Sequence, residues 1–184
     1  MRLAGDPAAD ALLETDSFAL LVGMLLDQQQ PMERAFIGPY RICERLGWQR
    51  LDPRDVVALG EERLTEVMKQ PPAVHRFPGS MAKRVLSLSQ AVVDDYQGDP
   101  EAIWGSGSAQ AVRDRLQALP GFGEAKSKIF LALLGKQCGV RPRGWREVSA
   151  PYGGKGTTLS AADVVDEASL LAVRSTKREM KARR

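Results

Sequence analysis

Residues Phe18 to Leu26 are apolar on every side. That pattern predicts a helix buried all round rather than an amphipathic surface helix. Asp16 and Ser17 precede it as N-cap candidates, since a short side-chain oxygen can accept the free N–H groups of a first turn. The run ends in Asp27, Gln28, Gln29 and Gln30, and Pro31 suits the first turn of a following helix. That next helix, roughly 31 to 46, carries Met32, Phe36, Tyr40, Ile42 and Leu46 at three- and four-residue steps. Asp52 and Pro53 open a short turn or helix, and 61 to 69 reads as a helix with Leu64 and Val67 or Met68 inward. Pro71 and Pro72 end it, and Pro71 to Gly79 reads as a loop.

Residues 80 to 96 predict a helix capped by Ser80, with Val85, Leu88, Val92 and Tyr96 on one stripe. Another spans 108 to 118, capped by Ser106 or Ser108, and a third runs from about 124 to 134. Gly139 to Thr158 is rich in Gly and Pro and predicts a long irregular segment, functional or disordered. Ser160 is the candidate cap of a last helix, about 161 to 180, with Val164, Val165, Ala168, Leu171 and Ala172 inward. Alternating period-2 strands are missing, so the expected class is all-α. The expected organisation is a single domain over 1–184, with a hairpin at 108–135, an irregular loop at 139–158, and a C-terminal helix and basic tail at 160–184.

Composition narrows the function classes. With 184 residues and 43% hydrophobic positions, the chain can bury the core of one domain or of two small lobes. The net charge of +3 is compatible with a nucleic-acid partner. Six basic residues from Arg174 onward, against the one acid Glu179, exceed that whole net charge. Such a tail is either a solvated, frayed terminus or a contact surface. Cys43, Cys138 and His75 lack metal-site spacing, so no metal or cluster is expected. Reduced thiols in a cytoplasmic compartment are the simplest expectation, nucleoid-associated if the source is bacterial. No apolar run approaches a membrane span of about 20 residues, and Met1 to Pro7 shows no signal-peptide pattern.

The strongest local signal is Leu116-Gln-Ala-Leu-Pro-Gly-Phe-Gly-Glu-Ala-Lys-Ser-Lys128. A helix ends, a Pro-Gly-x-Gly turn follows, and a second helix begins. Gly121 and Gly123 lack the Cβ atoms that would block a close-lying ligand. Free N–H groups and the positive dipole end of the second helix form a phosphate site. Lys126 and Lys128, about one turn in, can add charge. Such a grip reads the backbone rather than the bases. The alternative is an ordinary helical hairpin whose glycines only cap helices.

In these residues, Leu119-Pro-Gly-Phe-Gly123 above all, the chain resembles the helix-hairpin-helix (HhH-GPD) superfamily of base-excision DNA glycosylases. The resemblance extends over most of 15 to 136. Phe18 to Gln29 looks like the family's early buried helix ending in Leu-x-x-Gln, and Lys83-Arg84 like its segment before the hairpin. The resemblance implies a two-lobed helical bundle, a monomer, that binds double-stranded DNA and turns a damaged base into a pocket between the lobes. It implies DNA contacts from Leu119, Gly121, Phe122, Gly123, Lys126 and Lys128, and a gap-filling role for Gln29 or its neighbours Gln28 and Gln30. Without the family, the Gln triplet reads as a polar helix end facing water. The hairpin of that family can also hold a monovalent cation on backbone carbonyls; no other cofactor is expected.

The chain departs from the family at its chemistry. The family's aspartate would fall near Pro142 or Arg143, and no Asp occurs between Gly135 and Thr158. The lysine position of the lyase members is Ala125, with Lys126 one step round the helix, and the glutamate position of some adenine-removing members looks like Met24. Glu147 and Asp27 are the remaining candidate acids. Trp145 and Tyr152 either stack on an extruded base or plug the core beneath the loop. Arg141, Arg143 and Arg146 either contact phosphate or form a solvated basic loop. Three functions follow: a hydrolytic glycosylase without lyase chemistry, a non-catalytic protein that binds damaged DNA, or a protein-interaction scaffold.

Overall fold

Short acidic and hydroxyl side chains set where the helices start. Asp6, Asp16, Asp52 and Ser108 accept the backbone N–H groups of Ala9, Ala19, Arg54 and Ala111, as N-caps do. The computed structural model describes residues 1–183. Among them it has eleven α-helices and no strand: α1 (Pro7–Thr15), α2 (Ser17–Leu26), α3 (Met32–Phe36), α4 (Gly38–Leu46), α5 (Pro53–Leu59), α6 (Glu61–Lys69), α7 (Pro78–Tyr96), α8 (Ala109–Gln117), α9 (Glu124–Gln137), α10 (Trp145–Val148) and α11 (Glu167–Ala182). Short 3-10 turns occupy Pro100–Ile103 and Ala161–Asp163. The all-α expectation is met, and no helix among the described residues is long and apolar enough to cross a membrane.

Helix α2 is the hub. Every residue from Phe18 to Leu26 is buried, and the helix packs against α1, α3, α4, α7 and α9. Burying each large side chain there contributes about 1.5–3 kcal/mol relative to exposure. Gly23 lets Phe36 lie flat on it, because a Cβ would stand 2.6 Å from the ring. On one side α5 and α6 pack on α7, and on the other α10 packs on α8 and α9. A continuous apolar core joins both groups.

Several boundaries differ from the sequence reading. Helix α1 was not expected. The segment from 31 to 46 divides at Ile37 into α3 and α4, because Pro39 lacks an N–H and its ring cannot follow an uninterrupted helix. Helix α7 starts at Pro78 rather than at Ser80, since proline suits a first turn. The segment 139–158 contains α10, whose Trp145 is buried against Gly135. Beyond it, Lys136 Nζ donates to Asp163 Oδ1 at 2.5 Å and to Thr157 Oγ1 at 2.9 Å. Gln137 Nε2 donates to the carbonyls of Ala161, Ala162 and Val164.

The final helix also begins later than expected. Ser160 caps only the 3-10 turn, and a reciprocal pair of Asp166 and Ser169 starts α11. This shifts the inward register. Val164 and Val173 are buried, whereas Val165 and Leu171 are 55% and 57% exposed.

Trp145→Ala, which empties the space against Gly135, is expected to lower stability by about 3–5 kcal/mol. Urea unfolding at equilibrium checks this, and an unchanged midpoint would contradict a packing role for the loop.

Candidate nucleic-acid interface

The hairpin turn closes on its own hydrogen bonds. Leu119 N–H donates to Leu116 O and Phe122 N–H to Leu119 O, each at 3.1 Å. The two glycines have different jobs. Gly121 has φ +80°, and a Cβ there would overlap Leu25 Cδ1. Gly123 has φ −91°, caps α9 without a side-chain hydrogen bond, and would place a Cβ within 4 Å of nothing. The open face of the turn is therefore at Gly123, where the first amides of α9 lead.

The side chains expected beside the turn behave otherwise than the sequence suggested. Leu119 and Phe122 are core residues, 5% and 4% exposed, and Phe122 meets Phe130 edge-on with centroids 6.1 Å apart. Their apolar surface is better buried than offered to a charged backbone. Lys128 pairs with Glu124 at 2.8 Å, and Glu124, fully exposed, is held below the usual carboxylate range first by that hydrogen bond. Lys126 turns inward, its Nζ donating to Leu25 O at 2.6 Å. Ala125, at the lyase position, is exposed, and Met24 is buried.

Lys126 thereby joins the hairpin to the end of α2, where Asp27 is the C-cap residue. Burial pushes the Asp27 carboxyl up, Lys177 and Lys126 pull it down, and Glu33 adds to the rise. Burial also pushes the Lys126 ammonium down to about 8, with Asp27 opposing and Arg84 reinforcing. Desolvation thus outweighs the mutual attraction of the two groups.

Asp27 lines a cleft of about 420 Å³ with Gln30, Glu33, Arg174, Lys177 and Arg178 among its walls. In it Gln30 Oε1 and Glu33 Oε2 are buried without a hydrogen-bond partner. Acceptors left in that state lose their hydration without compensation, so they are costly to the fold.

The adjoining loop is braced from α7 and the segment before it. His75 is 1% exposed. Its Nδ1 accepts the Phe77 N–H at 2.9 Å, so Nε2 carries the proton and donates to Gln28 O at 2.8 Å. Burial pushes this imidazole below its ordinary value, against the pull of the Gln28 carbonyl. Arg84 Nη1 donates to Gln28 Oε1 at 2.9 Å, and Gln30 Nε2 to Leu26 O at 3.0 Å. Gln29, between two anchored neighbours, is exposed at φ +56°, a left-handed conformation that costs a non-glycine residue. Of the three glutamines, Gln29 alone projects.

The other candidates lie elsewhere. Glu147 is exposed on α10, which packs on α8 and α9, and does not line the Asp27 cleft. Trp145 is buried with the Arg146 guanidinium 4.3 Å over its ring, and Tyr152 is half-buried against the core. Both take the core-plug alternative. Arg141 donates to the Gly135 carbonyl at the end of α9, and Arg146 to the Gly153 carbonyl of its own loop. Sequence reasoning missed His75, Arg84, Glu33 and Lys177 as site neighbours. Only Arg84 and Lys177 had a signal, as parts of a basic pair and a basic tail. No group of three or more His, Cys, Asp or Glu among the described residues could hold a metal. Compared with protein-family models, curated proteins and solved structures, the chain matches none.

Two predictions follow from this geometry. Gly121→Ala is expected to destabilise the fold, while Gly123→Ala is expected to leave the melting temperature nearly unchanged; thermal unfolding of both variants decides. Asp27→Asn is expected to melt higher than the parent at pH 7. Raised from its ordinary value of 3.8, Asp27 favours folding only when protonated, and that contribution is lost as pH rises through its folded pKa. The advantage of the Asn variant should therefore vanish below the ordinary value, and melting curves from pH 3 to 8 measure it.

Proposed function

We propose that this chain binds duplex DNA through the hairpin and draws one base into the Asp27 cleft for hydrolytic removal. This is the reaction of a DNA glycosylase without lyase chemistry. The observation that carries the reading is the convergence of three features at one end of α2. The open Gly123 turn is tied to Leu25 by Lys126, Gln29 projects from a braced loop, and Asp27 lies between them on the α2 cap. The hairpin holds phosphate through backbone amides. Gln29 enters the stack, where its amide can both donate to and accept from an orphaned base.

Asp27 then faces the sugar. In its ionised form it takes a proton from the attacking water and stabilises the positive charge developing at C1′. The C1′–N bond breaks and its electron pair leaves with the base, while the water oxygen bonds to C1′. The upward push on Asp27 brings its pKa nearer to neutral pH, where a general base works best. Lys126 is not assigned as a nucleophile, because its ammonium is committed to Leu25 O.

A second reading, lesion binding without hydrolysis, is favoured by one observation: Lys177 stands in the same cleft and acts on the Asp27 carboxylate, where it competes with water.

Single-turnover base release separates the two. Duplexes carrying uracil, 8-oxoguanine, alkylated purines or oxidised pyrimidines are the substrates. The hydrolytic reading expects release from at least one, reduced about 10²–10⁴-fold in Asp27→Asn and unchanged in Glu147→Gln. Tight binding of a lesion with no release supports the second reading. Gly123→Val should weaken binding to duplexes of any sequence while keeping the fold, and undiminished affinity in that variant would remove the hairpin grip.

A further inference from the structure

Helix α11 is poorly consumed by the fold. Of its 16 residues only Val173 is buried, with Leu170 packed partly against the core. Arg174, Lys177, Arg178 and Lys181 recur at three- and four-residue steps and so share one face, an arc of about 100°. The acid Glu179 falls outside that arc and is bonded to Ser175. Arg174 is engaged by Glu33, which fixes the stripe against α3. Lys177, Arg178 and Lys181 are exposed and form no ion pair among the described residues. Lys177 and Arg178 line the Asp27 cleft together with Gln30. The stripe is therefore continuous with the loop that carries Gln29.

We propose that this stripe is a second grip on the DNA backbone, holding phosphates beside the cleft while the hairpin holds them at the Gly123 turn. The inference rests on the reading that the hairpin binds duplex DNA, and extends it to an element that the hairpin does not include. From Arg174 to Lys181 the helix rises about 10 Å. A DNA strand advances about 3.4 Å per phosphate along its axis, so that length faces roughly three phosphates. The free cations Lys177, Arg178 and Lys181 occupy about the last 6 Å of that rise, and their long side chains spread to reach about two to three phosphates. An acidic protein segment would meet the same charges, but nothing about it requires the cleft and the Gln29 loop alongside.

The test uses the full chain with Lys177→Gln, Arg178→Gln and Lys181→Gln combined, which removes charge and keeps good helix formers. Binding to an abasic-site duplex and to an unmodified duplex is followed by fluorescence anisotropy over a salt series. A control triple, Arg50→Gln, Arg63→Gln and Lys69→Gln, loses the same charge at positions that do not line the cleft. The stripe variant is expected to stay folded at the assay temperature, melting somewhat lower because Asp27 loses the attraction of Lys177. Its slope of log affinity against log salt should flatten by roughly 2–3, from about 0.9 per lost phosphate contact. The control should keep the parental slope.

If the stripe variant retains the parental slope while Gly123→Val loses binding, the stripe proposal is overturned and the hairpin reading stands. Equal flattening in stripe and control triples also overturns it, since the effect is then one of net charge. If the parent chain binds neither duplex, the hairpin reading fails and the stripe proposal with it.

Discussion

The hydrogen bond from the Lys126 ammonium to the Leu25 carbonyl is the contact on which the arrangement of the site depends. Leu25 lies in the last turn of the buried helix α2, and its carbonyl is one of those that a helix end leaves without an intrahelical partner. A cation there also meets the negative end of the helix dipole. Because Lys126 sits one turn into α9, this bond fixes the hairpin at the end of α2, and Gly121 lets the turn settle onto the Leu25 side chain. With the end of α2 fixed, the positions of Asp27 and of the glutamine loop follow.

That commitment changes how the proposed backbone grip has to work. A basic residue after the turn looks like a phosphate ligand, but here one lysine serves α2 and the other serves Glu124. What remains at the turn is the open amide face at Gly123. Backbone amides are rigid and lose little entropy on binding, but they carry no net charge, so long-range attraction has to come from elsewhere. The free cations of α11 are well placed for that division of labour.

The cleft shows the opposite of a structure optimised for stability alone. A buried carboxyl raised by desolvation, two unpartnered buried acceptors and a left-handed Gln29 all cost folding free energy. These three lie together at the end of α2 and its loop; Arg113 Nε and Gln137 Oε1 are also buried without a partner, and Gln97 is also left-handed, but these are scattered. Clustering of this kind is what the proposed site would require. Around it, His75 and Arg84 hold Gln28 so that its neighbour can project. The brace costs little, because a neutral imidazole with both nitrogens paired suits a buried position.

The sequence by itself determined the all-α class, the all-round burial of Phe18 to Leu26, and the hairpin at Leu119 to Gly123. Each of these rests on local information: residue periodicity, capping side chains, and glycines at a turn. The α11 register was misread for a local reason too, because Ser160 and Asp166 are both competent caps and only packing chose the second. The tertiary structure alone decided where side chains point. Lys126 and Lys128 are two residues apart and look alike in the chain, yet one is turned to α2 and the other to its own helix. Glu147 stood ahead of Asp27 as the candidate acid in the sequence, yet α10 carries Glu147 away on α8 and α9 while residues of α3 and α11 close round Asp27. Partners such as His75 with Gln28, or Lys177 with Asp27, are far apart in sequence. Long-range pairing depends on how helices pack, and the pattern along one helix does not encode its neighbour.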